Sequence, residues 1–178
     1  VSAQDYADLA LQVPGIADAS AAVRTNSAVT IFVVGPNNIL PSESQRDAVA
    51  HYVQERALAG ITVSVVNGTL VPVNIGEAGE GGEPVLVNVL PRYRRDTVKL
   101  AVEQAIQNVF SPPQTSFGAR ISISHLYRAI QEVPGVDWSV IQLMARADLP
   151  QSGTDDVICR EYEIPVIGTI VVTASGGV

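Results

Sequence analysis

The sequence holds one cysteine, Cys159, and two histidines, His51 and His125, so the residue types that build disulfides, thiolate zinc sites and most nucleophile–base pairs are nearly missing. A single thiol closes no disulfide within the chain, and two histidines alone do not make a catalytic metal centre. Positive charge is also scarce. Eleven Lys and Arg face 18 Asp and Glu, a net charge of −7 that argues against nucleic acid as a partner. No apolar run approaches the roughly 20 residues of a membrane-spanning helix, because Gly, Pro or charge breaks every block. Met and a charged-then-apolar leader are missing at Val1, which leads us to expect further chain upstream.

What is present is core-forming material. Of 178 residues 47% are hydrophobic and 16% charged, enough apolar surface to offset the entropy of ordering and room for two small domains. Tyr6, Leu9, Ala10 and Val13 form one stripe of a helix with Ser2 as N-cap, stopped by Pro14 and Gly15. Strands follow at 16–23 and 29–34 around a turn at Asn26 and Ser27. Ser42 and Gln45 stand at capping-box spacing and open a helix to about Ala59, with Val49, Tyr52 and Val53 inward; Ile61, Val63 and Val65 then alternate as a half-buried strand. Asn67 and Gly68 mark the division between a first domain, 1–68, and a second, 69–178.

The second half opens with alternating strands at Val71, Val73, Ile75 and Val85, Val87, Val89, which read as a hairpin around the loop 76–83. Asp96 caps a helix whose face carries Val98, Val102, Ile106 and Phe110, ended by Pro112 and Pro113. A short strand at Ile121 and Ile123, a helix capped by Ser124, a strand from Val136 to Met144 and a last strand near 162–172 complete the order. The fold class is α+β, two small α/β half-domains, each with helices on one face of a mostly antiparallel sheet. Val13-Pro14-Gly15-Ile16 recurs as Val133-Pro134-Gly135-Val136, offset by 120 residues, and the offset also aligns Ser2 with Ser122 and Ala10 with Ile130. Pro disfavours helix in the residue before it and Gly permits the reversal into a strand, so the two junctions are expected to be alike.

Chemistry is hard to find. His51 and Glu55 share a helix face, but two ligands make no catalytic metal site; Cys159 reads as a small apolar filler. The loop 76–83 carries Glu77, Glu80 and Glu83 and no Lys, which excludes a phosphate loop. No catalytic residue, cofactor or metal is assigned. The one basic concentration is Arg92, Tyr93, Arg94 and Arg95 with Lys99, either a solvated corner or a docking patch for an acidic surface of another subunit. The run from Glu163 to Val172 is long, about twice a mean strand, and its apolar Ile164, Val166, Ile170 and Val172 either complete the second sheet or dock a neighbour, with interruptions expected at Pro165 and Gly168.

The order Tyr6-x-x-Leu9-Ala10, Val13-Pro14-Gly15-Ile16, Pro41-Ser42, then Phe117-Gly118, Val133-Pro134-Gly135-Val136, Glu163-Ile164-Pro165 and Gly168-Thr169-Ile170 resembles the phage baseplate J family over nearly the whole chain. This sequence departs from the family pattern at the glutamate-rich loop and at Arg92 to Arg95. The resemblance implies a structural wedge component of a contractile tail or related injection system, not an enzyme. Its implied partners are other wedge and hub proteins and further copies of itself, with no nucleic acid, membrane or small-molecule substrate. Its implied place is the virion tail baseplate, assembled in the bacterial host cytoplasm. A different reading of the residues alone is a small-molecule-binding regulatory α/β domain, which would show a clustered polar pocket.

Overall fold

A computed structural model of the chain describes residues 2–25, 27–112, 114–149 and 153–178. Helix α1 (Ala3–Ala10) begins where the sequence caps it: the Ser2 hydroxyl accepts from the Asp5 N–H at 3.3 Å and the Asp5 carboxylate accepts from the Ser2 N–H at 2.6 Å. Strand β1 (Asp18–Thr25) runs antiparallel to β2 (Ala28–Val34), and after helix α2 (Glu43–Gln54) strand β3 (Thr62–Asn67) lies parallel to β2 on its other side. Val29, Ile31 and Val33 on one face of β2 pack with Tyr6 and Ala10 of α1 and Val49 and Val53 of α2. That alternation is the period of a strand buried on one side by helices. The turn at Asn26 falls outside the described residues.

Helix α2 stops at Gln54, short of the expected Ala59. The Gln54 amide leaves the helix to donate to the Ile61 carbonyl at 2.8 Å and accept from the Val63 N–H at 2.9 Å, tying the helix end to β3. Arg56 turns back to donate to the Tyr52 carbonyl at 2.9 Å with its guanidinium over the Tyr52 ring at 3.7 Å. These side chains satisfy the last carbonyls and the entry to β3 in place of another helical turn.

Residues 69–178 form β4 (Thr69–Ile75), β5 (Val85–Val89), α3 (Arg95–Val109), β6 (Arg120–Ile121), α4 (Ile123–Gln131), β7 (Val136–Ile141), β8 (Met144–Arg146), β9 (Val157–Ile158), β10 (Glu163–Ile170) and β11 (Val172–Gly176). Their sheets are ordered β11-β5-β7, β10-β4-β8 and β6-β9. The expected hairpin of β4 and β5 is therefore absent, because each strand pairs with later segments and the two belong to different sheets. Two stretches that read as single strands are likewise divided between these sheets, 136–144 into β7 and β8 and 163–172 into β10 and β11. Val171 is the crossing point of the second: its N–H donates to the Ile75 carbonyl at 2.9 Å and its carbonyl accepts from the Val85 N–H at 2.8 Å. β10 continues through Pro165 and Gly168 without the expected interruption. The helix starts also differ from the reading. The N-caps are Arg94 and Ser122 instead of Asp96 and Ser124, and Ile123 opens α4 and is not in a strand.

The chain divides into two compact units, Val1–Leu70 with Ser116–Ala119 and Cys159–Ile164, and Val71–Thr115 with Arg120–Ile158 and Pro165–Val178. In the first unit the Thr69 N–H donates to the Tyr162 carbonyl at 2.9 Å, and the Gly118 N–H joins the two late segments by donating to the Glu163 carbonyl at 3.0 Å. The Asp18 carboxylate accepts from the Phe117 N–H at 3.1 Å, and the Tyr162 ring packs at 5.6 Å on Phe32, on the face of β2 away from the helices.

The repeated Val-Pro-Gly junctions have the same structure. Val13 and Val133 N–H groups each donate to the carbonyl three residues back at 3.1 Å, Ile16 and Val136 do the same at 3.3 Å, and Gly15 and Gly135 have φ of +93° and +99°. Each junction leads a helix into an edge strand, β1 or β7, antiparallel to a central strand, β2 or β5, whose other neighbour, β3 or β11, is parallel. The same small layer is thus built twice with different wiring, since β1 passes directly to its central strand β2 whereas the central β5 precedes β7 in the chain. Both three-stranded layers are mixed sheets within the α+β class.

Candidate subunit interface

The basic corner lies between β5 and α3. Tyr93 N–H closes a turn on the Leu90 carbonyl at 3.0 Å, and the final residues lie along the corner, Val178 N–H donating to the Tyr93 carbonyl at 3.0 Å and Arg95 N–H to the Val178 carbonyl at 3.1 Å. Arg95 Nε donates to the Gly176 carbonyl at 2.7 Å, whereas Arg92 and Arg94 extend from the corner without an ion pair among the described residues. Arg94 is the N-cap of α3 and makes no side-chain capping bond. Ser, Thr, Asp or Asn is the usual choice there, and cations at a helix N-terminus oppose its dipole by about 0.3–1 kcal/mol each. The three arginines therefore sit where local helix stability disfavours them. Beside them Thr97, Val98, Ala101, Val133 and Pro134 line a groove of about 400 Å³, with Tyr93 at its edge, 40% exposed, and its ring against Gly135.

Other charges on and around α4 are already paired with each other. Arg128 pairs with Glu132 at 3.1 Å, and Arg120 Nε donates to Asp156 at 2.9 Å. Asp156 also accepts from the Ile123 N–H at 3.0 Å, serving the first turn of α4 from a distant loop. The backbone bond from Ile123 and then the Arg120 guanidinium hold the Asp156 carboxyl below its ordinary value of 3.8. A lowered pKa means that the stabilisation is present above the ordinary carboxylate value and is lost as pH falls through the lowered one. Asp156→Asn is expected to lower the melting temperature at pH 7 and to flatten its fall between pH 5 and pH 2 relative to the parent, read by circular dichroism; parallel curves would show the pair to be inert.

The residues screened for chemistry stay apart. His51 reaches Glu55 at 3.3 Å on an open helix face, its side chain 80% exposed, His125 is exposed on α4, and Cys159 is buried. Among the described residues no three His, Cys, Asp or Glu side chains gather, and no helix is long and apolar enough to cross a membrane. Glu77 and Glu80 are exposed and Glu83 half-buried in the loop before β5, which is closed by the Glu77 N–H on the Glu83 carbonyl at 3.1 Å. Of the terminal run, Ile164 and Val172 are buried within the chain and Val166 and Ile170 are half-buried, β10 pairing with β4 and β11 with β5.

One surface escaped the sequence reading. On β5 Val85, Val87 and Val89 are buried, so Leu86 and Asn88 point to the opposite face, where register places them beside Val140 and Trp138 of β7 and Thr173 and Ser175 of β11. Trp138 is 46% and Val140 42% exposed. The signal was available in Val136 to Ile141, where Trp138 and Val140 share one parity and buried Ile141 the other.

Residues 1–66 match the Baseplate J-like central domain and residues 85–173 the Baseplate J-like protein C-terminal domain. Among solved structures the fold is similar to a chain of the anti-feeding prophage (AFP) baseplate, a 6-fold symmetrised cryo-EM structure, with a TM-score of 0.66 and 11% identity over 98% of this chain. This chain spans 37% of that one. None of the curated proteins matches the sequence. With one half of its length matched by the C-terminal domain and the preceding part by the central domain of the same family, the chain belongs to the baseplate J-like proteins.

Proposed function

We propose that the chain is a structural wedge subunit of the baseplate of a phage tail or related contractile injection system, and that it works by holding neighbouring baseplate subunits and not by catalysis. The observation that supports this reading is the succession of two baseplate J-like domains over residues 1–66 and 85–173. The exposed arginine corner is the contact we assign to a neighbour: Arg92 and Arg94 have no ion pair among the described residues, the arginines weaken the start of the helix, and the adjoining groove has an apolar floor. The protein then resides in the tail baseplate and joins it during assembly in the host cytoplasm. Replacing Arg92 and Arg94 with Glu, and sparing Arg95 for its bond to Gly176, is expected to keep the fold and to raise the melting temperature by a few degrees, since acidic residues suit the start of α3 better than arginines. The same variant should be depleted from purified particles by about tenfold or more, since lost charge complementarity at an interface costs several kcal/mol. Normal incorporation, read by quantitative mass spectrometry of particles, would reject the corner as a contact.

A further inference from the structure

Glu77, Glu80 and Glu83 precede β5, and Arg92, Arg94 and Arg95 follow it, so opposite charges sit at the two ends of one central strand. The five residues of β5 alone separate these ends by roughly 16 Å at about 3.3 Å per residue. That exceeds the Debye length of about 8 Å at physiological salt, so the clusters do not neutralise each other within one chain. Neither cluster has an ion pair among the described residues. The glutamates lie in the stretch 67–84 that neither family domain matches, and the loop that carries them is otherwise Gly and Ala, slim enough to enter a groove. The receiving groove, floored by Val98, Ala101, Val133 and Pro134, has Arg92 and Arg94 on its rim and beside it the first turn of α3, whose N-cap side chain makes no capping bond.

We propose that the glutamate loop of one copy of this chain docks in the arginine-rimmed groove of the next copy, a head-to-tail contact. This rests on the corner being a contact surface and names its occupant as a second copy. Carboxylates entering there meet two guanidinium groups and the positive end of α3, and so relieve the placement that the helix alone disfavours. Because the two patches differ, the contact is heterologous, and its repetition makes a ring or an open array and not a closed pair. A net charge of −7 on each copy opposes association in general, so the attraction has to be local.

Charge exchange at constant net charge tests it. Sedimentation velocity of the chain over a range of concentrations in 50 mM salt is expected to show self-association that weakens in 500 mM salt. Arg92→Glu with Arg94→Glu should weaken it about tenfold or more, and so should Glu77→Arg with Glu80→Arg. All four changes together, which leave the net charge unaltered, should restore it, as should mixing the two double variants. A chain that stays monomeric at every concentration, or a fourfold variant that does not recover, overturns the contact. Particles separate this from failure of the corner itself. If only the arginine variant is lost from particles, the corner receives a different protein and the head-to-tail contact is wrong; if neither variant is lost, both readings fall.

Discussion

Ending the chain after Pro165 is expected to unfold the second unit, the largest effect we anticipate. The cut removes β11, and with it the parallel partner of every residue from Val85 to Val89. Val172 is buried, and each fully buried side chain of this size contributes about 1.5–3 kcal/mol. The Val85 N–H and the Ile75 carbonyl both lose Val171, and Arg95 loses its bonds to Gly176 and Val178. A buried backbone group left without a partner costs about 1–3 kcal/mol, so these losses together are comparable with the 5–15 kcal/mol that a domain usually has in hand. Circular dichroism and amide dispersion by NMR should show the loss of cooperative structure. A truncated chain that melts cooperatively would show instead that the end of the chain is dispensable to the core and free to serve a neighbour.

Gly135→Ala is expected to destabilise the protein by about 2–5 kcal/mol, and Gly15→Ala by about 1–2 kcal/mol, although the two glycines hold equivalent positions. Both have positive φ, +93° and +99°, and both substitutions pay for that backbone. Their surroundings differ. A Cβ at position 15 meets the end of the Gln45 side chain at 3.1 Å, which can shift, whereas at position 135 it would lie 2.6 Å from Tyr93 Cγ and 2.9 Å from Val98 Cγ2. Thermal denaturation of the two variants measures the gap, at about 2–4 °C per kcal/mol for a protein of this size. Tyr93→Ala added to Gly135→Ala should recover part of the loss, a coupling that the corresponding pair at Gly15 lacks. Equal losses at both sites would mean that the Tyr93 ring moves aside at no cost.

The elements that were legible in the sequence are those determined by neighbours in the chain. Ser2 and Ser42 cap their helices with the acceptors three residues on, and the alternation of β3, β4 and β5 reports one buried face. The likeness of the two Val-Pro-Gly junctions was legible for the same reason. Pairing was not, because alternation says which face of a strand is buried and nothing of the strand beside it. β4 and β5 are adjacent in sequence yet find their partners about 50 to 95 residues later, in β8 and β10 and in β7 and β11. The division of 163–172 at Val171 follows from that, since the break falls where the strand passes from one sheet's partner to the other's and not at Pro165 or Gly168. At the candidate interface the arginines were visible as a charge excess, but the groove beside them is assembled from α3 and the junction at Val133 and Pro134, a juxtaposition that spacing does not reveal.

The late segments of the first unit make its completion a matter of timing during synthesis. Everything from Val1 to Leu70 leaves the ribosome early, yet the Tyr162 ring that lies on Phe32 and the Glu163 carbonyl that holds Gly118 follow roughly 90 residues later. At about 5–20 residues per second the newborn sheet waits on the order of 5–20 s with Phe32 uncovered on the side away from its helices. Over that interval the chain offers a chaperone, or a second nascent chain, an aromatic surface that the finished protein conceals.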